Sequence, residues 1–287
     1  MLPHLLKKSF KSMPVSRMDI GLQGMLGNEL RVFLQPNKIE LNLLKTGVLG
    51  DFRLDSFRLD GLKAKVIKQE IIEVENETQL LAQLSSALQN PIWHKAKPVA
   101  VFSSAFTHFA VLPWNVEIKS KQERSAYLQH RFLQHFGDAS KDWLLCEHVA
   151  GYGKAAIASG IDANFFKQVE AVFAAANMPL KAAHPLLMLA MNQALFYLNQ
   201  NKLTQSFWLA CEENQRLTLA LIINSEWKLV RNVPLEANIH GQLRTLIQRE
   251  MVLENMDKSL FLLNYKDGEI QLATRSQQDF IQVKKAA

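Results

Sequence analysis

Cysteine is scarce in this 287-residue sequence: there are two, Cys146 and Cys211, far apart and in no Cys-x-x-Cys pair. That excludes a disulfide framework and a thiolate metal site, and it fits two buried thiols in a reducing compartment. Long apolar runs are missing as well. The best stretch, residues 185–198, is broken by Asn192 and Gln193 and falls short of the roughly 18 apolar residues of a membrane-crossing helix. Glycine and proline, at 12 and 9, are not enriched, which excludes a fibrous or low-complexity chain. The N-terminus has Lys7, Lys8, Lys11 and Arg17 but no apolar core with a small-residue cleavage site, so no secretory signal is expected. A cytoplasmic location follows.

Signatures of chemistry are missing too. The eight histidines form no His-x-x-x-His pair, and His130 and His135, five apart, point to different sides of a helix. No metal is expected. Ser103-Ser104 lacks the glycine-flanked elbow of a hydrolase nucleophile. The net charge of +6 raises nucleic acid as a partner, but Lys and Arg are spread evenly, with no basic stripe interleaved with aromatics. Lys63, Lys65 and Lys68 read as a solvated strand face. An acidic partner or an anionic membrane surface is the better use of the excess.

What is present is organised around residues 98–114. Two apolar runs, 99–102 and 106–112, flank Ser103-Ser104-Ala105, and Pro113 ends the second run before Trp114. Runs apolar on both faces suit strands buried inside a sheet. Upstream, residues 1–28, punctuated by Pro14, Gly21, Gly24 and Gly27, read as a mobile leader. Residues 31–35 and 39–44 alternate about Pro36-Asn37 as a hairpin, 64–74 is a third strand, and 77–89 is a helix capped by Asn76.

Downstream, Lys121–Phe136 is an amphipathic helix opened by Ser120 with Glu123 three residues on, a capping box, and closed by Gly137. Residues 143–149 and 154–159 form a hairpin, and Asp162 caps a helix through Ala176 with Phe165, Phe166, Val169, Val172 and Phe173 on one face. Residues 118–180 thus read as a self-contained helix–hairpin–helix insertion. Leu186–Gln200 is a helix pre-set by Pro185. After it come three strands (207–211, 217–223, 227–233), the helix Ile239–Glu254, and strands at 259–263 and 270–273. Three strands, a helix and a strand therefore occur twice, which divides the chain into a first lobe, 29–203, and a second, 204–287. Trp114, Trp143, Trp208 and Trp227 are expected in the core.

The arrangement resembles the α/β actin-like (ribonuclease H-like) two-lobed fold, each lobe a mixed sheet with helices. Within it, the chain is similar to the pilus and type II secretion assembly group of PilM, MshI and GspL. The residues carrying the resemblance are Val111-Leu112-Pro113-Trp114, Glu123, Arg124 and Phe136-Gly137 in the helix that follows, Ile161-Asp162, and His184-Pro185 leading to Asn192. The family's nucleotide binders hold phosphate with Asp-x-Gly in the first hairpin turn of each lobe. Here the first turn is Gln35-Pro36-Asn37-Lys38 and the second is Glu212-Glu213-Asn214, bulkier and negative. Asp19-Ile20-Gly21 precedes the first hairpin and follows no apolar strand.

The resemblance therefore implies a scaffold without cofactor or catalytic residue. It would be a cytoplasmic adaptor, peripheral to the inner membrane, in a type IV (MSHA-type) pilus or type II secretion-like machine. Its partners would be the cytosolic peptide of a single-pass membrane protein and the assembly ATPase, with membrane contact only through the partner. Trp114, Lys121, Arg124 and Arg131 are the candidate partner-binding residues. A nucleotide-binding actin-like ATPase or sugar-kinase relative with divergent loops is the alternative, and an unrelated αβ interaction module a third.

Overall fold

The computed structural model describes residues 28–45, 65–148, 151–203, 206–213, 215–254, 260–266 and 268–274. The expected leader, with Asp19-Ile20-Gly21, lies outside these apart from Asn28. The chain opens with β1 (Asn28–Gln35), β2 (Lys38–Lys45), β3 (Lys65–Glu73), α1 (Glu77–Leu88), β4 (Ala96–Phe102) and β5 (Thr107–Leu112). Next come α2 (Lys121–Phe136), β6 (Trp143–His148), β7 (Ala156–Asp162), α3 (Ala163–Ala175), β8 (Ala182–Pro185) and α4 (Leu186–Gln200). The last third holds β9 (Phe207–Glu212), β10 (Arg216–Ile223), β11 (Glu226–Pro234), α5 (Ile239–Glu254), β12 (Phe261–Lys266) and β13 (Glu269–Thr274).

The expected repeat is present in the topology. One five-stranded sheet has the order β3-β2-β1-β4-β8 and the other β11-β10-β9-β12-β13. In each, three antiparallel strands lead through a helix to a fourth strand parallel to the first: Leu34 pairs with Phe102, and Cys211 with Tyr265. Both parallel steps need a crossover, which α1 and α5 supply. The fifth strand differs: β8 is parallel to β4, and β13 antiparallel to β12.

The element ends are fixed by short-range chemistry. The Asn76 side chain accepts from Gln79 N–H at 2.9 Å and opens α1. Ser120 and Glu123 form the reciprocal capping box of α2, and Gly137 closes that helix at φ +65°, where a side chain would be strained. Asp162 accepts from Phe165 N–H at 2.7 Å and opens α3.

Packing decides two placements. β5 does not continue beside β4: after the Ser103–Ala105 turn the chain leaves the first sheet, and β5 becomes the edge of a third sheet, β5-β7-β6. Within residues 118–180 the two helices pack on different cores. Leu128 and Phe132 of α2 cover this small sheet over Ala110, Leu112, Ala156 and Ala158. Phe165, Phe166, Val169 and Phe173 of α3 instead join the core of the first sheet, with Leu80 and Leu84 of α1. The greasy face of α3 was legible, but which core it fills is decided by the β7–α3 junction.

α4 is apolar on several sides, with Leu186, Leu187, Leu189, Ala190, Met191, Ala194 and Leu198 all buried, as a helix with no solvent stripe must be. Its core takes Val101 from the first sheet and Phe207, Leu209, Ala220 and Leu263 from the second. On the opposite face of the second sheet, Leu243, Leu246 and Ile247 of α5 pack on Trp208, Leu217 and Leu219. Trp93 and Trp208 are among the largest fully buried side chains. Trp114, expected in the core, stands at the surface with 36% exposure. Cys211 is buried as expected, and Cys146 only half-buried.

Candidate functional site

The ends of β1, β4 and β9 place three turns at one end of the sheets. The Ser103 N–H donates to Leu34 O at 3.0 Å, which seats the Ser103–Ala105 turn beside the first hairpin turn. In that hairpin turn, Asn37 O accepts from Val74 N–H at 2.9 Å. No Asp-x-Gly stands there.

The second hairpin turn reaches across to the first half of the chain. Glu213 is 7% exposed, and its carboxylate accepts the Ser104 N–H at 3.1 and 3.0 Å and the Ser103 hydroxyl. Asn232 on β11 donates to Ser104 O from the other side. Burial raises the Glu213 carboxyl above its ordinary range, and the Ser103 and Ser104 donors and the Arg216 charge oppose that rise without cancelling it. Glu212, by contrast, pairs with Lys266. A third tie joins the same halves: Ala155 N–H donates to Glu226 Oε1 at 2.8 Å.

In the sequence Glu213 stands only as one of the negative residues of the second turn, and Ser103-Ser104 only as a pair without a nucleophile elbow; that the two meet is visible in the fold alone. No periodicity links them; only the repeated topology brings both turns to one end.

A second candidate surface lies at the far end of β5. A cleft of about 20 Å³, room for one water, is lined by Leu112, Trp114, Tyr127, Arg124, Glu147 and Lys154. Trp114 meets Tyr152 edge-on, ring centres 4.8 Å apart, and Tyr152 is 85% exposed. Arg124 forms an ion pair with Glu147, whose other carboxylate oxygen is buried without a hydrogen-bond partner. Trp114 and Arg124 are thus brought together. Lys121, exposed at the start of α2, and Arg131, which donates to Gln134 at 3.4 Å, do not line the cleft. Arg124 was named as a candidate without its partner Glu147.

Among the described residues no group of three or more His, Cys, Asp or Glu could hold a metal, and no helix is long and apolar enough to cross a membrane.

No protein-family model matches the sequence, and no curated protein matches it. Solved structures do. A Bacteroides thetaiotaomicron protein with actin-like ATPase fold and unknown function aligns with a TM-score of 0.54 at 9% identity, covering 93% of this chain and 91% of that one. The cytoplasmic domain of EpsL, an inner-membrane component of the Vibrio cholerae type II secretion system, aligns at 0.51 with 12% identity, covering 86% and 85%. The PilM–PilN type IV pilus biogenesis complex aligns at 0.56 with 7% identity, covering 82% and 81%. At such identities the likeness speaks to architecture. With its two related sheets and shared helix, the chain has the two-lobed actin-like fold.

Proposed function

We propose that this chain is a cytoplasmic adaptor of a type IV (MSHA-type) pilus or type II secretion-like assembly platform, and that it binds the cytosolic segment of a single-pass inner-membrane protein. The observation that carries this reading is the Glu213 contact: the second hairpin turn, where the resemblance would put an Asp-x-Gly phosphate loop, instead carries a carboxylate held on the Ser103–Ser104 turn. Solved structures sharing the architecture over more than four-fifths of the chain include a secretion component and a pilus assembly complex. In this reading the lobes are 29–203 and 204–287, the protein is a pseudo-ATPase, and membrane contact runs through the partner. The assembly ATPase is a second partner.

The Trp114–Tyr152 pair and the cleft beside it are the proposed seat of the partner segment, with Arg124 and Lys154 at its rim. Exposed aromatics next to a small cleft are the usual anchors of an extended peptide. Lys121 and Arg131, on the same helix as Arg124, are proposed as further contacts of the segment.

The test is calorimetric titration of the purified chain with cytosolic segments of the single-pass membrane proteins encoded beside it, alongside melting with Mg-ATP and Mg-ADP. The expected result is micromolar binding of one segment, at least tenfold weaker for Trp114→Ala, and no nucleotide shift. A ligand at 100 times its Kd stabilises by about 2.7 kcal/mol, so a clear nucleotide shift with no segment bound overturns the adaptor in favour of the nucleotide-binding alternative.

A further inference from the structure

We propose that the Ser103–Ser104 turn is an oxyanion-binding site that the chain fills with its own Glu213 carboxylate, and that it accepts a small carboxylate or phosphate when that side chain is cut back. The donors converge as they would on a free anion. The Ser104 N–H reaches both carboxylate oxygens, and the Ser103 hydroxyl donates to one of them. The Ser103 oxygen is itself oriented, because it accepts the Ala105 N–H at 3.1 Å and so turns its own proton toward Glu213. Asn232 holds the carbonyl of Ser104, which fixes the orientation of the turn.

Ser104 is fully buried, and its hydroxyl, like its N–H, favours the ionised form of Glu213. The Arg216 charge also favours an anion at this point. Glu213 is delivered by a turn that is closed by its own N–H on Arg216 O at 2.9 Å, so the tether is short and the carboxylate acts as a ligand held at high effective concentration.

This inference stands whether or not the adaptor reading holds, since its test involves no partner. A merely structural acid and a self-filled site differ in one respect: only the site can be refilled. Glu213→Gly empties the turn, whereas Glu213→Gln leaves it occupied by an isosteric amide. Wild type and both variants would be melted and refolded in sodium chloride, formate, acetate and phosphate at matched ionic strength. The expected result is that Glu213→Gly melts lower in chloride and that formate or phosphate raises its Tm, or its refolding yield, saturably. Wild type and Glu213→Gln should respond no differently to these anions than to chloride. Adding Ser103→Ala to Glu213→Gly should weaken the rescue. The proposal is overturned if Glu213→Gly shows no anion-specific rescue or fails to refold in every anion. An equal response from wild type or Glu213→Gln overturns it as well, since the anion then binds elsewhere.

Discussion

The imidazole of His108 lies flat on the indole of Trp143, ring centres 4.1 Å apart and planes 9° from parallel. Partial burial, with the Arg216 charge nearby, holds His108 from near 6.5 down to about 4. His184 is held to about 4 by burial and by the charge of Arg31. Both rings are therefore neutral in the folded protein at physiological pH.

In the unfolded chain both titrate near their ordinary value of about 6.5, so unfolding takes up protons below it. Their contribution is fully present above about pH 6.5 and is lost as pH falls toward 4. Glu213 has the opposite sign: raised by burial, its contribution is present in acid and lost as pH rises through its folded value. His108→Phe keeps the stacking and removes one titration. Acid unfolding followed by circular dichroism should then move to lower pH, while stability at neutral pH changes little. An unmoved acid limb would show that His108 does not sense pH.

Gly160 on β7 sits where α2 presses on the small sheet. A Cβ there would stand 2.8 Å from Leu145 Cδ2, 2.8 Å from Phe132 Cε1 and 3.0 Å from Trp143 Cε3. Leu145 can rotate away, but the Phe132 ring is buried and cannot. Gly160→Ala should destabilise the protein by about 1–3 kcal/mol through overpacking, measured by denaturant midpoint at unchanged slope.

The Asp162 cap acts at the start of the helix that crosses from the small sheet into the first core. Asp162→Ala should cost about 1 kcal/mol, and the loss should appear as faster hydrogen exchange at Phe165 and Phe166. Asp162→Asn, which keeps an acceptor, should restore most of it.

Local chemistry explains why so much of the fold could be read in advance. Asn76, Ser120, Gly137 and Asp162 mark helix ends through bonds that span three or four residues, so the linear sequence carries them. Strand alternation and the repeat of three strands, helix and strand survive in the same way. β8, four residues long, preceded by the polar Lys181 and ending on Pro185, has no alternation to read. The placement of α3 was illegible because Phe165 and Phe166 are equally suited to either core. The site was harder still: Ser104 and Glu213 are 109 positions apart, and each looks ordinary in its own turn. Trp114 was singled out as a bulky residue after Pro113, but its exposure depends on β5 leaving the first sheet, which no local signal announces.

The helix shared by the two sheets also sets an order of events at the ribosome. α4 is complete at Gln200, but the strands that cover its second face, β9, β10 and β12, arrive only by Lys266. Until they do, Leu187, Leu189 and Leu198 lack the part of their core that the second sheet supplies, and the nascent chain carries an apolar stripe that invites association with other chains. Slower synthesis past residue 200 should therefore lengthen the vulnerable interval, and bound chaperone should peak on nascent chains between 200 and 266 residues long.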